Sequence, residues 1–310
     1  MEHLLTSFTT VAPLLLMMAV GLLLARTRLV PKDVFLIANR IVYYVGLPAL
    51  IFRNLIRQDD ASDADPAVIL LVLGGILGMF VLSWLILPRI VKDPKRRGAI
   101  TQAMLRSNDS IFTLTVAAAV LGEGNFGMTI FTAALSATLF NLLSILTLEI
   151  NRGQKPRIGV FIKHVLLNPV IPAVAFGHLF RWFGWTLPAV LQTPIDHFAA
   201  MVTPLGFLIL GGILSWDSLR QNRKALLWIA VCKLLIVPLV MTGLALLLGF
   251  RNERLLTVLL IFAAPTAMAS YPLAAAMESD AVLAGEAVAL TTACSLPTVF
   301  LFLTIFGGLL

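Results

Sequence analysis

Apolar residues recur along this chain in runs of about 20, and short polar segments separate the runs. A run of that length, wound as an α-helix, crosses the hydrocarbon core of a membrane, which is about 30 Å thick. The pattern predicts an all-α polytopic membrane protein with ten transmembrane helices. The predicted spans are residues 8–26, 33–52, 67–89, 98–121, 127–150, 158–181, 195–214, 223–249, 254–279 and 281–307.

The composition leaves little room for a soluble domain. Hydrophobic residues make up 59% of the 310 residues and charged residues 13%, whereas soluble domains carry about 25% charged residues. The net charge of +7 does not indicate nucleic-acid binding, because most basic residues lie in or beside the loops between the predicted spans. Fifteen of the 23 Lys and Arg residues lie in or beside odd-numbered loops and five in or beside even-numbered loops. By the positive-inside rule, we expect both termini on the outer side of the plasma (inner) membrane.

The chain is similar to itself at an offset of 156–157 residues. The matching positions are Pro13 with Pro169, Gly21 with Gly177, Pro48 with Pro204 and Asn108 with Pro265. We therefore predict a first five-helix repeat at 1–150, a cytoplasmic linker at 151–157 and a second repeat at 158–310. Because five spans is an odd number, the second repeat must be inverted in the membrane. Inverted repeats are typical of secondary transporters, which bind substrate near the midplane.

The fourth and ninth spans occupy corresponding places in the two repeats, and both are interrupted. The fourth contains RSND at 106–109, which are costly side chains to place in lipid. The ninth contains Pro265 and Pro272, and proline removes a backbone donor. Freed backbone groups are tolerated at membrane depth only where protein or a water-filled cavity satisfies them. We predict that broken helices 4 and 9 cross at a site where half-helix N-termini favour an anionic group.

Three motifs resemble the auxin efflux carrier (AEC, PIN-like) family of transporters, and in particular its bacterial members. They are NRIVYYVGLPALIF (39–52), RSNDSIF (106–112) and APTAMASYPLAAAMESDAVLAGEAVALTTACSLPT (264–298). The resemblance implies a scaffold of helices 1, 2, 6 and 7 and a mobile transport domain of helices 3–5 and 8–10. It also implies a homodimer and an organic-anion substrate, such as auxin in plants and malate or malonate in bacteria.

Motif positions and interrupted spans together identify the candidate residues. The expected substrate-binding residues are Arg106, Asn108, Asp109, Ser110, Thr113, Pro265, Thr266, Ser270, Tyr271, Asn39 and Asn141, and the expected crossover residues are Thr115, Pro265 and Pro272. The family usually has proline where this chain has Thr115. We therefore expect the hydroxyls of Ser110, Thr113 and Thr115 to take up freed backbone groups at a milder first break.

Several roles are open at this level. Asp109 is either a proton or sodium carrier or a permanent partner of Arg106, three residues away. Arg106 either attracts the substrate anion or extends toward the cytoplasmic side. Asn39 and Asn141 contact either the ligand or the other domain. We also expect an internal salt bridge between Lys233 of the eighth span and Glu286 of the tenth span.

The sequence as a whole predicts a secondary active transporter of a small organic anion that works by elevator-type alternating access. Protons, sodium or the membrane potential would supply the coupling, because no GxxxxGK[ST] motif is present. The alternative is a uniporter or channel-like carrier for an amino acid or a neutral or amphipathic metabolite. We expect no enzyme, since the chain has neither HExxH nor GxSxG. The four histidines have no metal-ligand spacing, so we expect no metal and no cofactor.

Overall fold

The computed structural model describes residues 2–57, 65–121, 126–152 and 167–309, and the regular elements of these residues are helices. In chain order they are α1 (Glu2–Arg26), α2 (Lys32–Ile56), α3 (Pro66–Ile90), α4 (Pro94–Leu105), α5 (Leu114–Leu121), α6 (Gly127–Ile150), α7 (Val170–Trp182), α8 (Ala189–Ile213), α9 (Trp216–Leu247), α10 (Glu253–Ala263), α11 (Ser270–Ala276) and α12 (Ala281–Phe306).

Among the described residues, α2, α3, α6, α8, α9 and α12 are long and apolar enough to cross a membrane. Large apolar side chains on α3 point outward, such as Leu70 at 75% exposure, as expected for a surface that faces lipid. The prediction of a helical chain with several helices long enough to cross a membrane is thus confirmed for the described residues. The ten-span count and the inverted repeat stay predictions, and the predicted sixth span at 158–181 lies partly outside the described residues.

Local sequence explains where α3 and α4 begin. An aspartate precedes each helix, and its carboxylate accepts a hydrogen bond from the backbone N–H two residues later, at 2.8 Å for Asp65 and 3.0 Å for Asp93. Proline follows each aspartate, at Pro66 and Pro94, where its missing N–H costs no helical hydrogen bond. Each N-cap satisfies one of the free backbone N–H groups at the start of its helix.

The helices pack in two groups. Helices α1, α2, α7 and α8 share one apolar cluster that includes Leu14, Tyr43, Val174 and Phe207. Helices α3, α6, α9 and α10 share another, and α12 packs against α9 and α11. The first cluster also takes in side chains from α6, α11 and α12, and α1 packs along α12, so the two groups meet at both places.

Glycine lets α1 and α8 approach backbone to backbone. A Cβ at Gly21 of α1 would lie 1.9 Å from the carbonyl oxygen of Leu208, and a Cβ at Gly211 of α8 would lie 1.8 Å from that of Met18. Both obstacles are main-chain atoms, which no change of rotamer can move. These two glycines define what we call the α1–α8 seam, a close helix contact of the kind that small residues permit in membranes.

Candidate functional site

Two interrupted segments lie side by side in the structure. The first runs from the end of α4 at Leu105 to a π-helical turn at Asp109–Thr113, and the second from the end of α10 at Ala263 to the start of α11 at Ser270. We call them the first break and the second break. Ser107 and Thr266 form an antiparallel backbone bridge between them.

The two breaks satisfy each other's backbone. The N–H of Asn108 donates to the carbonyl of Pro265 at 3.0 Å, and the N–H of Ala267 donates to that of Arg106 at 3.3 Å. The Thr266 hydroxyl donates to the carbonyl of Ala103 at the end of α4, at 2.7 Å. Backbone groups released from two helices thus keep partners without water.

This arrangement differs from the expected one. We expected hydroxyls of the first break itself to take up its freed backbone groups, but the partners above come from the second break. Thr113 donates instead to the carbonyl of Leu260, at 3.2 Å. Thr115 lies in α5, past the π-helical turn, and the side chain of Ser110 lies outside the described part of the structure. A prediction based on hydroxyl side chains near the break in sequence does not detect backbone pairing with a distant segment.

Pro265 and Pro272 have different places. Pro265 lies in the second break, where its carbonyl accepts from Asn108. Pro272 lies in the first turn of α11, which begins at Ser270. A first-turn proline interrupts no helical hydrogen bond, so the second break centres on Pro265 alone.

Charged side chains gather at the first break. Arg106 is 7% exposed, and its guanidinium donates to Oδ1 of Asn141 at 2.6 Å. Asp109 is 2% exposed and accepts from the hydroxyl of Ser136 at 2.6 Å. Arg106 and Asp109 thus have separate hydrogen-bond partners, and no ion pair joins them within 4.0 Å. The hypothesis of a permanent direct pair is wrong for this conformation, because the chain between them is extended at Arg106 and not helical.

A third charged group, Lys233, has a different partner from the expected one. Lys233 is fully buried in a π-helical turn of α9, Cys232–Ile236, and its ammonium donates to Ser107 Oγ at 2.5 Å. Glu286 of α12 accepts from the amide of Asn222 at 2.7 Å. The predicted salt bridge between Lys233 and Glu286 is therefore wrong. The π-helical turn directs Lys233 toward the first break. A prediction that assumes a regular α-helix does not place the side chain there.

A cavity of about 400 Å³ adjoins the first break. Its lining includes Arg106, Asn108, Asp109 and Asn141, together with residues 267–269 of the second break. This volume lies in the range typical of sites for small molecules. Asn108 is 7% exposed, and its side-chain nitrogen has no hydrogen-bond partner among the described residues. Asn108 of the cavity wall therefore holds a buried donor without a partner among the described residues, and Arg106 lines the same cavity.

Not every expected site residue lines this cavity. Thr113 and Thr266 lie behind the wall, where they bond Leu260 and Ala103 as described above. Asn39, Ser270 and Tyr271 are buried, and they are not among the described residues that line the cavity. Tyr271 belongs to the apolar cluster shared with α1, α2, α7 and α8.

Sequence reasoning missed part of the lining. Arg53, Asn54 and Arg57, at the end of α2, face the same cavity, and Arg57 forms a 2.6 Å ion pair with Asp196 of α8. Their position at the end of an apolar run made them resemble ordinary loop residues. The signal that could have identified Ser136 is the spacing of Thr129, Thr132 and Ser136, which places three hydroxyls on one face of α6.

Known proteins resemble this chain over most of its length. A family model described as membrane transport protein matches residues 6–303. An uncharacterized transporter of Methanothermobacter thermautotrophicus is 26% identical over 294 residues, which cover 94% of this chain and 95% of that protein. An uncharacterized transporter of Methanocaldococcus jannaschii is 23% identical over 275 residues, covering 86% and 88% of the two chains.

Proposed function

Because this chain belongs to the membrane transport protein family, which is auxin efflux carrier-like, we propose that it is a secondary active transporter of a small organic anion. Membership agrees with the resemblance of the sequence motifs and makes the protein a membrane transporter, which is consistent with the expectation of no enzyme activity. The substrate class in this proposal is a mono- or dicarboxylate, such as malate or malonate. The substrate binds in the cavity beside the two breaks.

The unused amide nitrogen of Asn108 is the observation that carries this proposal. A buried donor without an acceptor costs about 1–3 kcal/mol, so a ligand oxygen that accepts from Asn108 recovers this energy on binding. Arg106 lines the same cavity. Its guanidinium has five N–H donors, and the hydrogen bond to Asn141 uses one of them. A carboxylate offers acceptor oxygens and a negative charge to both groups at once.

The grouping of the helices supports elevator-type alternating access. In the proposed mechanism α1, α2, α7 and α8 form the fixed scaffold, and the helices around the breaks form the domain that moves. The cavity lies between these groups, since its lining comes from α2, α6, α8 and both breaks. The proposal includes broken helices that cross at the site, two inverted repeats at 1–150 and 158–310, outer termini and a homodimer.

Asp109 favours a second candidate function. Its carboxylate lines the same cavity, and it would attract the ammonium group of an amino acid. The second candidate is therefore a uniporter or channel-like carrier for an amino acid or a neutral or amphipathic metabolite.

Substitutions of Asn108 separate the two candidates. The purified protein is heated with malonate, malate, acetate, glycine or alanine, and the shift in melting temperature is measured. A ligand at 100 times its Kd stabilises the native state by about 2.7 kcal/mol. If the substrate is an anion, a carboxylate stabilises the wild type, Asn108→Ala weakens the effect, and Asn108→Asp abolishes it, because a carboxylate then replaces the donor.

Counterflow of the same compound in proteoliposomes then shows whether it is carried. Gln221→Ala, an exposed change on α9, is the control and leaves binding unchanged. Stabilisation by an amino acid that survives in Asn108→Asp, with none by simple carboxylates, would reject the anion proposal in favour of the second candidate.

A further inference from the structure

The end of α2 carries a cation that the proposed substrate contacts do not use. The charged residues that line the cavity in the described structure are Arg53, Arg57, Arg106 and Asp109. Arg57 forms a 2.6 Å ion pair with Asp196 of α8. Arg53, one helical turn before Arg57, has no ion pair among the described residues. Its guanidinium donates one hydrogen bond there, to Oδ1 of the neighbouring Asn54 at 3.3 Å.

Arg53 therefore has donors left for a ligand. A guanidinium carries five N–H donors, and a carboxylate can accept two of them side by side. The side chain is partly buried, so a carboxylate bound to it is screened by salt less than a carboxylate at the protein surface.

Arg53 and Arg106 belong to different walls of the cavity. Arg53 lies in α2, which packs with α7 and α8, whereas Arg106 and Asn108 lie in the first break. An anion with a single carboxylate at Asn108 and Arg106 leaves Arg53 without a partner. An anion with two carboxylates offers acceptor oxygens to both walls.

We propose that Arg53 forms a second carboxylate subsite and is the specificity-determining residue of the anion site. The proposal rests on the proposed function and narrows the substrate to an anion with two carboxylates. One carboxylate binds at Asn108 and Arg106, and the other binds Arg53 across the cavity. A monocarboxylate occupies the first subsite alone and is held more weakly.

The second subsite exists in this conformation only. In the proposed mechanism α2 is fixed and the breaks move, so the bond to Arg53 is lost when the anion crosses. A contact that is present before the movement and absent during it strengthens binding without speeding transport. Removal of Arg53 therefore raises the KM of counterflow and does not lower its maximal rate.

The test compares ligands that differ by one charge. Succinate and monomethyl succinate share a carbon chain, but the ester has one carboxylate. Malonate and glutarate, each with its monomethyl ester, extend the series, because chain length sets the distance that the anion spans. Binding is measured by thermal shift over a range of concentrations, and KM and maximal rate by counterflow, for wild type, Arg53→Gln and Arg53→Lys.

We expect the wild type to bind the best diacid about 30-fold more tightly than its ester, as a hydrogen bond between charged groups allows. Arg53→Gln loses this preference and leaves binding of the ester unchanged. Arg53→Lys keeps the charge but not the planar fork, so it retains part of the preference.

The control is Arg40→Gln, an exposed change on the same helix and outside the described cavity lining. It behaves as wild type with both ligands. A cation in the last turn of α2, such as Arg53, also interacts favourably with the helix dipole. Loss of that contribution lowers the melting temperature without ligand and affects diacid and ester alike, so the comparison of the two ligands separates it from binding.

The second subsite is rejected if the wild type prefers no diacid over its ester, if Arg53→Gln keeps the preference, or if it weakens diacid and ester equally. A lower maximal rate with unchanged KM in Arg53→Gln rejects it as well. If Arg53→Gln does not fold, Arg53→Lys decides, since a reduced preference supports the subsite and an unchanged preference rejects it. A wild type that binds neither diacid nor ester is a separate result, because it rejects the proposed function itself.

Discussion

The α1–α8 seam and the paired breaks bury helix backbone in opposite ways. At the seam, glycine brings two intact helices together until no side chain fits between them. At the breaks, two helices are interrupted, and their backbones bond to each other across Ser107 and Thr266. The seam contributes van der Waals contact, whereas the breaks bring buried polar and charged groups together.

The difference separates contacts that stabilise the fold from groups that bind a ligand in the proposed function. The seam has no room for any added atom, so a substitution there is expected to affect folding first. At the breaks the backbone is satisfied, but the amide nitrogen of Asn108 has no partner among the described residues. If Asn108 binds the ligand, its replacement should abolish binding without a loss of stability.

The largest effect is expected at the seam. Gly211→Ala forces a Cβ to within 1.8 Å of a carbonyl oxygen, and we expect a loss of about 3 kcal/mol or more, or no folded protein. Thermal unfolding in detergent measures the change. Gly243→Ala is the matched control, because its Cβ meets nothing within 4 Å and alanine is the better helix former. Equal behaviour of the two variants would show that the seam is not closely packed.

The next effect is expected at Asp109. Ser136→Ala removes the 2.6 Å hydrogen bond to its carboxylate, and hydrogen bonds to charged groups contribute about 1.5–3 kcal/mol. We expect a loss of about 2 kcal/mol in the same unfolding assay. Ser295→Ala serves for comparison, since that buried hydroxyl bonds only a neutral carbonyl of its own helix in the described structure. A smaller loss for Ser136→Ala than for Ser295→Ala would argue against a charged Asp109.

A smaller loss is expected where the second break supports the first. Thr266→Val keeps the side-chain shape but leaves the carbonyl of Ala103 without its hydroxyl partner, and we expect a loss of about 1.5 kcal/mol. Thr304→Val, whose exposed hydroxyl bonds its own helix, should change the melting temperature little. If both variants unfold alike, the side-chain link between the breaks contributes nothing to stability.

The smallest effect has the opposite sign. Asn108→Ala removes a buried donor that has no protein partner, so we expect stability to be unchanged or to rise by up to about 1 kcal/mol. The same variant should lose stabilisation by the carboxylate. A large loss of stability in the absence of ligand would mean that Asn108 supports the fold and would count against its role in binding.

Elements governed by local chemistry could be predicted from the sequence. The predicted span at 127–150 has the bounds of α6, Gly127–Ile150, because an apolar run must be helical throughout in lipid. The first break was predicted at RSND for the converse reason, since charged side chains in such a run require surroundings other than lipid.

Features governed by distant contacts could not be predicted in the same way. The partner of Lys233 depends on a π-helical turn, which shifts the face that a lysine presents. Arg53 reaches the cavity only because α2 packs beside the breaks. Pro272 carries the usual sign of a helix break but lies in the first turn of α11, where proline is tolerated.

The backbone bridge between Ser107 and Thr266 also has an evolutionary consequence. Main-chain hydrogen bonds are available to any residue other than proline, so this pairing does not depend on which side chains flank it. Side chains such as Asn108 and Asp109 can therefore be exchanged by mutation while the peptide framework of the site persists. For the proposed transporter, such a backbone frame means that single substitutions can change which substrate is bound.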